Sequence, residues 1–192
     1  MITARRGNRA QYWWRRVSRA TVSLVAIAVL LALAGLPVYV FPLEDRFEDP
    51  DVVFVLGPPT PNRILLESKL RSEYPNAWSL ISVSPAGDFA EEDLNGHCDD
   101  SRVVCESPDP FTTKGEALML QRFSATTPED EVVVITFTPH VARTRYIFAK
   151  CYSGKVVVVG VQEEMSLIEW ARQYVYQSVA FVKAWLTPCA SG

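Results

Sequence analysis

The residues with the most chemical content form the run Thr136-Phe137-Thr138-Pro139-His140-Val141-Ala142-Arg143. It follows Val132-Val133-Val134-Ile135, a continuous β-branched stretch that reads as a buried strand. It also opens a segment of helical pattern, so His140 and Arg143 stand at a helix start. A helix N-terminus presents free N–H groups and a partial positive charge. An imidazole and a guanidinium beside it make a site suited to an anion. With an ordinary pKa of about 6.5, His140 can donate either a proton or a hydrogen bond. The structural alternative is that His140 caps the helix and Arg143 pairs with a surface acid.

A second group is Thr112-Thr113-Lys114-Gly115-Glu116. Thr113 and Glu116 have capping-box spacing, in which hydroxyl and carboxylate each satisfy a backbone N–H at the helix start. Glu116 is equally suited to general acid or base work if burial raises its pKa. Glu116 and His140 are therefore the catalytic candidates, with Thr113, Arg143, Arg63 and Gly57 as ligand-binding candidates. Gly57 ends an apolar run, Val52 to Leu56, and Arg63 follows at the next helix start. Gly57-Pro58-Pro59 lacks the second glycine that would cradle a pyrophosphate, so no nucleotide cofactor is expected. The chain contains no G-x-S-x-G elbow, Walker A loop or H-E-x-x-H motif.

Four cysteines, Cys98, Cys105, Cys151 and Cys189, allow three disulfide pairings. Cys98 with Cys105 closes a short local loop and leaves Cys151 with Cys189, and this is the pairing expected. A metal site built from His97, Cys98, Cys105 and His140 would fit no standard zinc spacing, so no metal is expected.

These groups need elements to position them. Strands are predicted at 52–56, 78–83, 132–136 and 156–159, with a short one at 103–104. Helices are predicted at 62–74, 113–123, 141–150 and 165–186. Such alternation predicts an α/β fold with a mainly parallel sheet and helices on both faces. In such sheets ligands lie beyond the carboxyl ends of the strands. That rule gathers the segments 57–63, 82–88, 110–116 and 136–143 on one rim. The last helix carries Leu167, Trp170, Ala171, Tyr174, Val175, Ser178, Phe181, Val182 and Trp185 at spacings of three and four, a stripe expected to pack on the sheet. Its aromatic surplus also permits contact with a bilayer surface.

The uncharged stretch 20–43 is long enough, at about 1.5 Å per residue, to cross the ~30 Å hydrocarbon core of a bilayer as a helix. Arg5, Arg6, Arg9, Arg15, Arg16 and Arg19 precede it without one acidic residue. The remaining 13 basic residues face all 22 acidic ones, a formal charge of −9 beyond the helix. Basic flanks stay in the cytoplasm. The expected order is a cytoplasmic segment 1–19, a transmembrane helix 20–42, a linker 43–50 and an extracytoplasmic α/β domain 51–192. A cleaved signal peptide is the rival reading, with Ala32-Leu33-Ala34 as its cleavage site. Both readings export the domain to an oxidising compartment, with which the even cysteine count agrees. An acidic domain is no partner for nucleic acid.

Taken together, these motifs resemble the YdcF/SanA/ElyC-like family of bacterial envelope proteins. Asp51-Val52-Val53-Phe54-Val55-Leu56-Gly57 resembles its opening strand, and Asn62-Arg63 its helix-start arginine. Phe111-Thr112-Thr113-Lys114-Gly115-Glu116-Ala117 is similar to its (Ser or Thr)-Thr-x-x-(Asn or Glu)-Ala box. Val133-Val134-Ile135-Thr136 through His140 to Arg143 is similar to its Val-Thr-x-x-x-His-x-x-Arg motif. Cys105 and Cys151 resemble the actinobacterial type. The resemblance covers about residues 51 to 185. It implies a Rossmann-like sheet, often with one membrane anchor, and a role in cell-envelope or peptidoglycan-precursor biology. The positive rim adds the expectation of an anionic ligand, such as a phosphorylated or carboxylated cell-wall intermediate, with a non-catalytic envelope scaffold or binding module as the alternative.

Overall fold

A computed structural model describes residues 6–127 and 129–189. Of the six N-terminal arginines, Arg5 lies outside the described residues.

Strand β1 (Val52–Val55) is buried at every position. It lies between β2 (Trp78–Ser82) and β4 (Val132–Phe137), with Val52 level with both Trp78 and Val132. A strand paired on both edges and covered on both faces must be apolar throughout, which explains its continuous run. β3 (Val103–Glu106) and β5 (Val156–Val161) are the edges. All five strands are parallel, in the order β3-β2-β1-β4-β5. The chain builds outward from β1 through β2 to β3, crosses over, and builds outward again from β4. The sheet is therefore Rossmann-like, with its topological switch point between β1 and β4.

Side-chain alternation splits the core into two layers. Phe54, Leu80, Met119, Leu120, Val134 and Phe148 pack beneath α3 (Thr113–Ser124) and α4 (Val141–Cys151). Val53, Val55, Leu70, Ile81, Val133 and Ile135 pack on the other face, beneath α2 (Pro61–Glu73). Pro61 occupies the first turn of α2, where its missing N–H is harmless.

Helix α1 (Arg6–Gly35) continues through a π-helical turn, Leu36–Val40. It begins at Arg6 rather than Ala20, because charge marks where apolar character ends, not where helical backbone stops. Tyr12–Val40 is long and apolar enough to cross a membrane and is almost wholly uncovered by the rest of the chain. Its end packs on the 3₁₀ turn Thr138–His140 and on α4, at the carboxyl edge of the sheet. Residues 41–50 then run to the opposite edge, where β1 begins. Arg145 holds this linker through Asp45 at 2.8 Å, and Phe47 packs on Tyr74.

Both expected disulfides are present. Cys98–Cys105 pins the long loop after β2 to β3, and Cys151–Cys189 ties the end of α4 to the segment after the last helix. The expectation for that helix, α5 (Leu167–Leu186), needs correction. Only Gln177 and Ala184 are buried along it. It packs on α4, through Phe181 against Tyr146, and on α1, through Tyr174, instead of covering the sheet. The sheet face beside it is already filled by α3 and α4.

Candidate functional site

The helix start at Thr113 and Glu116 differs from the capping box expected there. Thr112 is the cap, accepting from Gly115 N at 3.2 Å. Thr113 is thereby the first helical residue and turns inward. Gly115 lies so close to the Pro110 carbonyl that any Cβ would overlap it, which fixes glycine at this position. Glu116, freed from capping, points into the sheet edge, where its Oε1 accepts from Gly57 N at 2.7 Å. The loop after β1 is thus fastened to α3 across the switch point. Ser82, the last residue of β2, places its hydroxyl beside Gly57, and this buried Oγ makes no hydrogen bond of ordinary geometry.

His140 does not cap α4 with its side chain. The ring sits between two hydroxyls, with Nδ1 3.0 Å from Thr136 Oγ1 and Nε2 3.5 Å from Thr113 Oγ1. Phe137 tilts against one side of it. Arg63 is buried and fully engaged: it donates to the carbonyls of Leu56 and Pro58 and pairs with Glu163 at 3.1 Å. Its guanidinium also lies over the Phe137 ring. Arg63 therefore holds the β1 loop in shape. Arg143 differs. It donates to Gln177 Oε1 at 2.9 Å and lies over Tyr176, yet among the described residues it has no carboxylate partner.

Burial raises the Glu116 carboxyl above its ordinary value of 4.5, against the opposing pull of the Gly57 N–H, the Ser82 hydroxyl and the charges of Arg63 and Arg143. Burial, with the Arg143 and Arg63 charges added, holds His140 well below 6.5, so its imidazole is neutral at pH 7. Burial also lowers Arg143, partly offset by Tyr176 and Glu116. A carboxyl of raised pKa, a neutral imidazole and a guanidinium without a carboxylate partner among the described residues thus lie together at the carboxyl ends of β1, β2 and β4.

The access route runs past Arg143. A cavity of about 360 Å³ is lined by Thr113, Lys114, Arg143, Ile147, Tyr176 and Lys183 among others. Thr113 and Arg143 form its inner wall. Glu116 and His140, each 5% exposed, lie beneath and do not line it. Lys114 donates to the Thr187 and Pro188 carbonyls just past α5, and Lys150 to those of Ala184 and Thr187. With Lys183 they make this end of the domain locally positive, and burial together with Lys150 and Lys183 lowers Lys114. The structure therefore brings Gly57, Arg63, Thr113, Glu116, His140 and Arg143 to one rim. Of these, only Thr113 and Arg143 line that cavity. The cysteines and His97 lie elsewhere, His97 against Glu67 at 2.8 Å.

Sequence reading missed Thr112, Gln177, Tyr176 and Glu163. The first had a signal in the Thr-Thr pair. The others come from α5 and its approach, whose docking has no local signature. Among the described residues, no three His, Cys, Asp or Glu side chains are placed to hold a metal ion. No family model, curated protein or solved structure matches the chain.

Proposed function

We propose that this chain is a single-pass protein of the plasma membrane whose α/β domain, outside the cytoplasm, binds an anionic small molecule in cell-envelope or peptidoglycan-related biology. α1 is the anchor, with residues 1–19 in the cytoplasm, as six arginines on one flank favour. Two closed disulfides fit an oxidising compartment. The resemblance of the Thr-Thr-x-Gly-Glu-Ala and Thr-x-x-x-His-x-x-Arg segments to the YdcF/SanA/ElyC-like family supports the envelope setting. A phosphorylated or carboxylated cell-wall intermediate is the ligand class.

The observation that carries this reading is Arg143. A guanidinium in a cavity wall, beside the first turns of α3 and α4 and near two lysines, is held by an amide and an aromatic ring alone. Exchanging that amide for an oxyanion would give a charge-assisted, bidentate pair. Glu116 and His140 lie beneath that wall, where a carboxyl of raised pKa can exchange a proton with a ligand that penetrates past Thr113. A second reading, a non-catalytic binding or scaffold module, is favoured by one observation. Glu116 and His140 share no hydrogen bond and are both closed off from the cavity.

Thermal unfolding of the detergent-solubilised full chain with phosphate, pyrophosphate, sugar phosphates and D-alanyl carboxylates tests the reading. A ligand at a hundred times its Kd adds about 2.7 kcal/mol of apparent stability. An anion-specific shift that Arg143→Ala abolishes is expected. Absence of any shift across the anions would favour the scaffold instead.

A further inference from the structure

α5 carries an apolar surface that nothing in the fold covers. Ile168, Ala171, Val175, Val179, Val182 and Leu186 recur at three- and four-residue spacing and form one stripe along the helix. Val175 is 67% exposed, Val179 66% and Leu186 67%. The opposite side of the helix, with Gln177 and Ala184, is the one buried against the domain. Arg172 and Lys183 border the stripe on a single side, and Glu169 is the only other charged residue of the helix.

The position of this stripe identifies what covers it. Tyr174 Oη donates to the Ala32 carbonyl at 3.3 Å, Tyr39 Oη lies 2.9 Å from Ser178 Oγ, and the two tyrosine rings meet at 5.0 Å. Between the helices lies an open, almost wholly apolar cleft of about 990 Å³, walled by Ala28, Leu31 and Leu36 on α1 and its π-helical turn and by Trp170, Val175 and Val179 on α5. Ala32 precedes Val40, the outer end of the apolar span, by eight residues, or about 12 Å of helix. A side chain reaching Ala32 is thus level with the outer half of the span.

We infer that α5 is an interfacial helix, lying in the outer leaflet with its apolar stripe on acyl chains and Arg172 and Lys183 at the level of lipid phosphates. The inference rests on the reading of α1 as a membrane span. The stripe is continuous with the exposed apolar surface of α1, so the solvent that covers one covers the other. A second copy of the chain would have to cover both surfaces and displace lipid from α1. The consequence concerns the ligand site. Tyr176, Val179, Ala180 and Lys183 of this helix also wall the cavity that holds Arg143. That cavity therefore opens at the membrane surface, where anionic headgroups and membrane-associated intermediates are concentrated.

The test uses the full chain in phosphatidylcholine nanodiscs, with and without lipids brominated along the acyl chains, which quench tryptophan on contact. Trp185, exposed beside the stripe, is read as the difference between the wild type and Trp185→Phe. Val179→Trp places a second probe on the stripe itself. Trp13 and Trp14, removed in turn as Trp13→Phe and Trp14→Phe, report on α1. Bromolipid quenching of both α5 probes is the expected result. Quenching at Trp13 or Trp14 with none on α5 would overturn the inference while leaving the anchor standing. No quenching at any probe would remove the anchor reading and the inference with it. α5 probes shielded from both bromolipid and aqueous iodide would assign the stripe to a second copy of the chain.

Discussion

Two buried glutamates, one on each side of the sheet, show how a saturated structural network differs from a candidate site. Glu67 is completely buried beneath the loop that Cys98–Cys105 closes. Its Oε1 accepts from Ser79 and lies 3.8 Å from Arg71 Nε; its Oε2 lies 2.8 Å from His97 and accepts from Ser68 at 3.2 Å. Both oxygens are fully used. Glu116, nearly as buried, has one backbone donor, and the Ser82 hydroxyl beside it makes no hydrogen bond of ordinary geometry. Each network contains a glutamate, a histidine, a serine and an arginine. In the first, every charge meets its complement. In the second, Arg143 turns away from the acid and toward a cavity. Buried polar groups left incompletely paired cost stability, and completion by a ligand is the account proposed above for this network.

The largest effect should come from breaking the saturated network. Glu67→Ala strands His97, Ser79 and Arg71 around a void, and removal of one partner of a buried ionic network typically costs about 3–5 kcal/mol. Urea unfolding of the full chain should show that loss, with the Arg143-dependent ligand shift preserved. A loss under about 1 kcal/mol, the scale of an exposed ion pair, would erase the distinction between the two networks.

The disulfides sharpen the comparison at the next level. In the chain-entropy account, stabilisation grows with the logarithm of the closed loop. Cys151–Cys189 spans 38 residues and Cys98–Cys105 spans 7. The corresponding contributions are about 4 and about 2 kcal/mol. Paired serine substitutions at each bridge, followed by unfolding, should reproduce that order. Loss of Cys98–Cys105 should also raise hydrogen exchange around His97 and leave the segment from Thr112 to Glu116 protected. Equal exchange in both segments would mean that the two networks are not independent.

Much of this arrangement was legible in the residues. β1 and β4 are unbroken apolar runs, and such runs belong in the middle of a parallel sheet. The rim followed from topology, because every helix after a strand starts on the same edge. The failures were local degeneracies or questions of docking. Thr112 and Thr113 are adjacent hydroxyls that both fit a cap, and only the close approach of Gly115 to Pro110 selects Thr112. That one-residue shift turns Glu116 from a cap into a buried acid. Arg63 and Arg143 looked alike at two helix starts, but Glu163, far along the chain, neutralises only Arg63. On α5 the spacing marked a face through Trp170, Tyr174, Phe181 and Trp185, while the exposed stripe from Ile168 to Leu186 went unread, since periodicity defines a face without naming what covers it.

The smallest effect is a dependence on pH, and it arises in the second network, at Glu116 and His140. Glu116 has its pKa raised by burial from 4.5. Between 4.5 and the raised value the folded protein binds more protons at this position than the unfolded chain. Its contribution therefore favours folding at low pH and is lost as pH rises through that window. His140 works on the other side. Its pKa lies well below 6.5, so stability falls as pH drops from 6.5 toward the folded value, while the unfolded chain takes up the proton. Glu116→Gln keeps an acceptor for the Gly57 N–H, supplies an amide donor toward Ser82 Oγ and removes one titration. Relative to the wild type, the variant should lose no stability as pH rises from 4.5, so the difference between the two should grow in favour of glutamine. The acid-side fall assigned to His140 should remain in Glu116→Gln and flatten in His140→Gln. Parallel stability profiles for wild type and Glu116→Gln from pH 4.5 to 7.5 would mean that Glu116 titrates as a solvated carboxyl. The rim would then hold no acid fit to exchange a proton with a bound anion, leaving Arg143 as a binding residue alone.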